Sequence, residues 1–308
     1  MSTAYITHAS FLRHEMGPGH PECPERLSAI QDHLLIRGLL DLMPPYDAPA
    51  VTHEQLLRVH DGLYIAEIET AAPTTGYCHV DPDTAMNPYT LAAARHAAGA
   101  AVLAAELVAS GEAQSAFCSV RPPGHHAERH AAMGFCFFNN VAVGIAHALE
   151  ALGVKRIALA DFDVHHGNGS ENIFAGDERV LMVSTFQHPL YPYVGHVPAG
   201  PNMVNVPLPA RSGGDAMRAA VSERWLPALE AFRPQMIFIS AGFDAHRDDD
   251  MANLGWVEAD YAWVTRQLKD VAERHAGGRI VSLLEGGYDL SALARSVAAH
   301  VKVLIGAD

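Results

Sequence analysis

The chain has 308 residues of globular composition, with 21 Lys plus Arg against 35 Asp plus Glu and a formal charge of −14. That balance argues against a nucleic-acid groove or an anionic membrane as the principal partner and favours a cationic ligand. Cys23, Cys78, Cys118 and Cys136 form no C-x-x-C pair and no disulfide framework, so a reducing cytoplasm is the expected location.

The opening MSTAYITHASFLRHE lacks the basic start and apolar run of a leader, and no segment is expected to reach the ~20 apolar residues of a membrane span. Tyr5 and Ile6 suggest a short strand. From Gly19, GHPECPERLSAIQDHLLIRG reads as a loop running into a helix, with Pro24 in its first turn and Gly38 at its stop. Leu27, Ile30, Leu34 and Leu35 recur at helical spacing and give that helix one core face. By themselves, His20 and Arg26 fit capping and surface charge as well as they fit a site. Two short helical patterns occupy 53–72, PTTGYCHVDPDTAMNP is a loop dense in turn residues, and an alanine-rich helix runs from Tyr89 to Gly111.

Residues 116–120 form a strand candidate, after which the prolines and glycine of RPPGHHAERHAAMGFCFFNN force irregular backbone. Asn139 or Asn140 suits the N-cap of the next helix, which ends by Gly153. Strands are then expected at 156–162, 180–186, 202–208, 236–240 and 280–284, and helices at 213–232, 258–275 and 290–305. Continuously apolar strands such as MIFIS and RIVSLL belong to a parallel sheet covered on both faces. With no repeat and no linker, the pattern is read as one α/β domain over 1–308.

Ligands of an open α/β sheet bind beyond the carboxyl ends of its strands, and here the polar clusters follow strands directly. His125-His126 follows 116–120, Asp161 to His166 follows 156–160, Asp244 follows 236–240, and Glu285-Gly-Gly-Tyr288 follows 280–284. Asp163 and His165, two apart on an extended segment, leave the same face. With Asp244 they offer two oxygens and one nitrogen and leave one position open, as a catalytic zinc requires, although iron(II), manganese or cobalt would also suit the set. His125 and His126 suit a general acid/base pair beside a metal-activated water, and Tyr288, after two glycines, suits a donor to a developing oxyanion. Phe135 and Tyr191 read as walls of a narrow apolar channel, Asp248-Asp249-Asp250 as a solvated acidic rim, and Cys136 as a small buried hydrophobe.

Together with GHPECPERL near the start, the segments RPPGHHAERHAAMGFCFFNN, DFDVHHGNG, SAGFDAH and EGGYDL, in this order and spacing, resemble the zinc-dependent histone deacetylase family over nearly the whole chain. The resemblance, closest in kind to bacterial-type deacetylases and acetylpolyamine amidohydrolases, implies the arginase-deacetylase fold, a three-layer α/β/α sandwich around an eight-stranded parallel sheet. It implies one zinc per chain on Asp163, His165 and Asp244, His126 as base and acid, His125 as its electrostatic partner, and Tyr288 polarising the amide carbonyl. Asp161 would hold His125 and share a structural potassium ion with Ser184. Asn168 would sit beside His126, Phe135 and Tyr191 would line the substrate tunnel with Gly134 and Gly287, and Arg26 would lie below it. The implied reaction removes an acetyl or related acyl group from a lysine side chain or from an acylated small amine such as a polyamine, and leaves room for a homo-oligomer.

Two departures from the family pattern stand out. Position 168 is Asn where part of the family has Asp, and no acidic substrate-gripping residue can be assigned within 77–83. Two rival readings keep the same fold: a ureohydrolase-like enzyme with two manganese ions, which would need a carboxylate pair where the chain has Asp244-Ala245-His246, and a non-catalytic binder of acyl-lysine or polyamine.

Overall fold

The structure is a computed structural model and describes residues 2–307. Its strands are β1 (Thr3–Thr7), β2 (Pro45–Asp47), β3 (Cys78–Asp81), β4 (Thr84–Met86), β5 (Ser115–Cys118), β6 (Ile157–Asp161), β7 (Val180–Gln187), β8 (Met203–Leu208), β9 (Met236–Ala241) and β10 (Ile280–Leu284). The α-helices are α1 (Glu25–Ile36), α2 (His53–Leu57), α3 (Gly62–Ala71), α4 (Thr90–Ser110), α5 (Asn140–Glu150), α6 (Asn168–Phe174), α7 (Gly214–Ala220), α8 (Leu226–Phe232), α9 (Glu258–His275) and α10 (Leu290–Ile305).

Eight strands form one sheet in the order β2-β1-β5-β10-β9-β6-β7-β8, and every pairing in it is parallel. All residues of β5, β6, β7, β9 and β10 are buried, which is why β6, β9 and β10 read as nearly continuous apolar runs instead of alternating. Register fixes the two helical layers. Ser282 lies beside Phe117 and Ile239, and that face meets His300 of α10, whose Nε2 is 2.9 Å from Ser282 Oγ. Val281 lies beside Ala116 and Phe238 on the other face, and Phe238 packs against Gly144 of α5. Helices on both faces of a parallel eight-stranded sheet are the α/β architecture of the arginase-deacetylase fold.

Local chemistry places the element ends. Asn139 caps α5 by accepting from Ala142 N–H at 3.0 Å, and Asp289 caps α10 by accepting from Ala292 N–H at 2.7 Å.

In its secondary-structure elements the structure differs from the sequence reading in four places. The loop expected over 73–88 contains an antiparallel hairpin of β3 and β4. Pro45–Asp47 adds an edge strand whose three residues are too few to carry a pattern and whose proline suits an edge. The single helix read across 213–232 is interrupted by a π-helical turn at Val221–Trp225. Finally, α4 is long and apolar enough to cross a membrane by length and composition, but 67% of its most apolar window is buried inside the protein, as befits a core helix.

Candidate metal centre and active site

Four adjacent strands, β5, β10, β9 and β6, each end in a polar loop at the same edge of the sheet. Asp163 and His165 follow β6, Asp244 follows β9, and the in-register pairing of Asp161 with Ser240 brings these two loops together. One ligand atom from each of Asp163, His165 and Asp244 lies within 4.8 Å of the other two. His165 Nδ1 is 3.2 Å from both Asp163 Oδ1 and Asp244 Oδ2.

These donors fit a cation. Asp244 Oδ2 is buried, and despite its closeness to His165 it has no hydrogen-bond partner among the described residues. Burial and the neighbouring Asp163 push the Asp244 carboxyl up to about 6, the response of a site with surplus negative charge. Other contacts steer the remaining oxygens: Val164 N–H donates to Asp244 Oδ1 at 3.0 Å and Gly286 N–H to Asp163 Oδ2 at 2.8 Å. A Cβ on Gly286 would run into Asp244 Oδ2, so only glycine permits this approach. Two carboxylates and one imidazole suit zinc and also accept iron(II), manganese or cobalt. Among the described residues this is the one such group of three, and His246, where a second carboxylate would be needed for two metals, points its Nε2 toward Glu258 at 3.5 Å.

The tandem histidines follow β5 and rest on buried partners. Asp161 Oδ2 is 3.0 Å from His125 Nδ1, and Asn168 Oδ1 is 2.7 Å from His126 Nδ1. Burial opposes a charge on His125, but Asp163 and Asp161 outweigh it and push the ring up to about 10. His126 goes the other way, held well below the usual imidazole range by burial and by His125 and His165. Its tautomer follows from the amide beyond it. Asn168 Nδ2 donates to Glu128 Oε1 at 2.7 Å, which turns Oδ1 toward the ring, so Nδ1 carries the proton and Nε2 is free to accept one. Glu285, at the end of β10, takes the Gly124 and His125 N–H groups at 2.7 and 3.1 Å and fixes the loop from below.

Tyr288, Phe135, Tyr191 and Gly134 line one cavity of about 230 Å³ with His125, His126 and His165. Phe135 and Tyr288 meet edge to face with centroids 5.8 Å apart, and Tyr191 meets His126 at 5.3 Å. Gly134 has φ +54°, and a Cβ there would lie 2.5 Å from the His126 ring. Phe135 itself holds φ 69°, a conformation costing of order 1 kcal/mol or more that persists where surroundings impose it. Gly286, not Gly287, faces the cavity; the Gly287 carbonyl instead accepts from Arg26 Nε at 2.7 Å. Arg26 is wholly buried beside Tyr288, against its reading as surface charge and in keeping with the resemblance, which places it below the tunnel. It also donates to Glu285 O at 2.5 Å and to Glu22, and its guanidinium lies 4.8 Å from the Tyr288 ring.

Asp161 and Ser184 are register partners across β6 and β7, and Ser184 Oγ lies 3.3 Å from Asn205 Oδ1. Cys136 is fully buried and burial pushes its thiol up, in keeping with a packing role. The acidic rim needs correction: Asp248 and Asp250 are exposed, but Asp249 is buried and accepts three backbone N–H groups. Sequence reasoning missed Asp83, Pro123, Leu190, Tyr193 and Met251, which complete the cavity lining. Asp83 lies in the turn between β3 and β4, and recognising that hairpin would have aimed it at the mouth. Nothing in the sequence distinguishes Met251 from an ordinary loop methionine.

A parallel α/β sheet with one candidate metal group and an imidazole pair at its carboxyl edge defines the class as an α/β protein of the arginase-deacetylase fold. The histone deacetylase domain matches the chain over residues 20–304. A probable deacetylase of Archaeoglobus fulgidus is 38% identical over 301 residues, covering 94% of this chain and 82% of that one. A histone deacetylase-like amidohydrolase of Pseudomonas aeruginosa is 40% identical over 277 residues, covering 88% and 73%. The crystal structure of the HDA15 HD domain superposes with a TM-score of 0.94 at 36% identity, covering 99% of this chain and 90% of that one. The chain belongs to the histone deacetylase family.

Proposed function

We propose that the protein is a zinc-dependent deacylase that cleaves the amide between an acyl group and a primary amine, either a lysine side chain or a small amine such as a polyamine. The observation that carries this reading is the convergence of a three-donor metal group, which meets the cavity through His165, with two adjacent imidazoles on buried partners and a phenol that line the same cavity. Asp163, His165 and Asp244 would hold the ion, which when bound acidifies a water and polarises the scissile carbonyl.

The chain's own residues carry the proton steps. His126 Nε2, neutral because its ring resists protonation, accepts a proton from the attacking water as that oxygen bonds to the carbonyl carbon. Asn168 holds the Nδ1–H, and the imidazolium of His125, kept by Asp161, opposes the negative charge growing alongside. The Tyr288 hydroxyl, whose proton burial retains, donates to the carbonyl oxygen as it becomes anionic. The His126 proton then passes to the amine nitrogen as the C–N bond breaks, giving a carboxylate and a free amine. Phe135 and Tyr191 flank the aliphatic stem, and Asp83 at the mouth suits a substrate bearing a positive charge or amide N–H groups. A potassium ion beside Asp161 and Ser184 rests on the resemblance alone.

Purified protein offered acetyl-lysine peptides and acetylspermidine should hydrolyse at least one of them, lose activity on chelation and regain it with zinc. No hydrolysis, or hydrolysis indifferent to chelation, would reject the reading. Two manganese ions per chain with urea release from guanidino compounds would replace it with the ureohydrolase alternative.

A further inference from the structure

The segment after β10 carries the proposed oxyanion donor, yet among the described residues the Tyr288 side chain is held by ring contacts and its hydroxyl has no hydrogen-bond partner. Its position therefore depends on the backbone of residues 285–289. From one side Arg26 grips two carbonyls of that backbone, those of Glu285 and Gly287. From the other side a single carboxylate grips its N–H groups. Asp249 Oδ2 accepts from Tyr288 N–H at 2.6 Å and from Asp289 N–H at 3.0 Å. Its second oxygen, Oδ1, accepts from Met251 N–H at 3.1 Å, and Met251 lines the same cavity as Tyr288.

The burial pattern separates Asp249 from its neighbours. It is 6% exposed, whereas Asp248 and Asp250 on either side are exposed and Asp248 pairs with Arg295 at 3.1 Å. A buried carboxylate persists where donors satisfy it, and here the donors belong to the two walls of the cavity. The 16-residue helix α10 begins directly after Asp289, so the carboxylate also sits at the positive end of a helix.

Resting on the reading of Tyr288 as the oxyanion donor, we infer that Asp249 is a positioning residue for the reaction: one oxygen sets Tyr288 over the scissile carbonyl and the other sets Met251 against the acyl-bearing stem. The division of labour between its oxygens makes the two effects separable. Asp249→Ala removes both grips. Asp249→Asn can keep an oxygen toward Tyr288 and Asp289 while turning its NH2 toward Met251 N–H, where donor meets donor.

The experiment combines steady-state kinetics of the zinc-loaded enzyme with amide hydrogen exchange over 285–292 and around Met251. Asp249→Ala should lower kcat by about 10- to 100-fold, the scale of an ångström-level misplacement, with fold and zinc content retained and faster exchange at Tyr288 and Asp289. Asp249→Asn should bring kcat back to within about threefold of the wild type, leave exchange at Tyr288 slow, and raise KM with faster exchange at Met251. Combining Asp249→Ala with Tyr288→Phe should cost little beyond Tyr288→Phe alone, because both act through one hydroxyl.

Full kcat in Asp249→Ala while Tyr288→Phe is impaired would overturn the inference. Full activity in Tyr288→Phe would instead overturn the role of Tyr288, and the exchange pattern would still decide whether Asp249 anchors that backbone. Should Asp249→Ala not fold, fast exchange at Tyr288 in Asp249→Asn, or its failure to disturb Met251, would refute the assignment.

Discussion

Replacing Asn168 by Asp tests the electrostatics of the acid/base pair. Asn168 Oδ1 is 2.7 Å from His126 Nδ1, so the change sets a carboxylate against the ring that takes the proton. At an effective dielectric of ~20, a unit charge about 4 Å from the imidazolium is worth ~4 kcal/mol, or ~3 pH units. Glu128 reduces that figure, because its Oε1 is 2.7 Å from the position that the new carboxylate would share. Two carboxylates that close hold a proton between them over part of the range, so the net upward shift of His126 should be about 1–2 units.

A base works in its neutral form, so raising its pKa moves the acid limb of the kcat/KM profile to higher pH by the same amount. The assay is hydrolysis of an acetyl-lysine peptide across about pH 5 to 9, with zinc constant. Adding Glu128→Gln should enlarge the shift, since it removes the like charge. An acid limb unmoved in Asn168→Asp, or a shift that Glu128→Gln abolishes, would refute the proposed tautomer and the role of His126 as the base.

Tyr288→Phe should lower kcat by about 100- to 1,000-fold with metal content unchanged; near-normal turnover would remove Tyr288 from the mechanism. Asp244→Ala should leave a folded chain with little bound metal by elemental analysis, and full occupancy would contradict the ligand set. Asp83→Asn should raise KM for cationic substrates several-fold while kcat holds, with a salt dependence weaker than that of the wild type. Stability should fall on acidification. His300, sealed between Thr265 Oγ1 and Ser282 Oγ, is pushed down by burial to about 3, and burial brings His60 down to about 4. Both stay neutral when folded, so their contribution is full above the unfolded value of about 6.5 and is lost as pH falls toward the folded values, at ~1.4 kcal/mol per unit for each. Urea melts at about pH 7 and pH 5 should differ by ~4 kcal/mol from these two rings, and His300→Gln should remove about half of that slope.

Much of the fold was legible because it rests on long apolar runs. The buried strands at 157–161, 236–241 and 280–284 announce themselves by lacking polar alternation, and the polar clusters at their ends locate the site edge. That Asp163, His165 and Asp244 gather at one point, with His125 and His126 beside them, was legible for a related reason: each follows a core strand at the same sheet edge. What escaped depends on tertiary partners. Arg26, read from its own helix, looks like a surface arginine, and only the family resemblance set it below the tunnel, where Glu22 and two carbonyls surround it; Asp249 differs from Asp248 and Asp250 only in the N–H groups it meets. Asp83 was hidden by a hairpin too short to show a period, and β2 by its three residues.

The last strand of the sheet in chain order fills a central slot. β10 lies between β5 and β9, and its following loop brings Glu285 under the histidine loop and Gly286 against two of the proposed metal donors. During synthesis the sheet therefore stands open in two halves, β5 with one exposed side and β9 with another, until residue 284 has emerged. Unpaired inner strands are adhesive, so a chain stopped short of β10 would not be a trimmed enzyme. It would be a nascent polypeptide with two bare strand edges and no assembled site, so both the sheet and the site wait on the segment that carries β10.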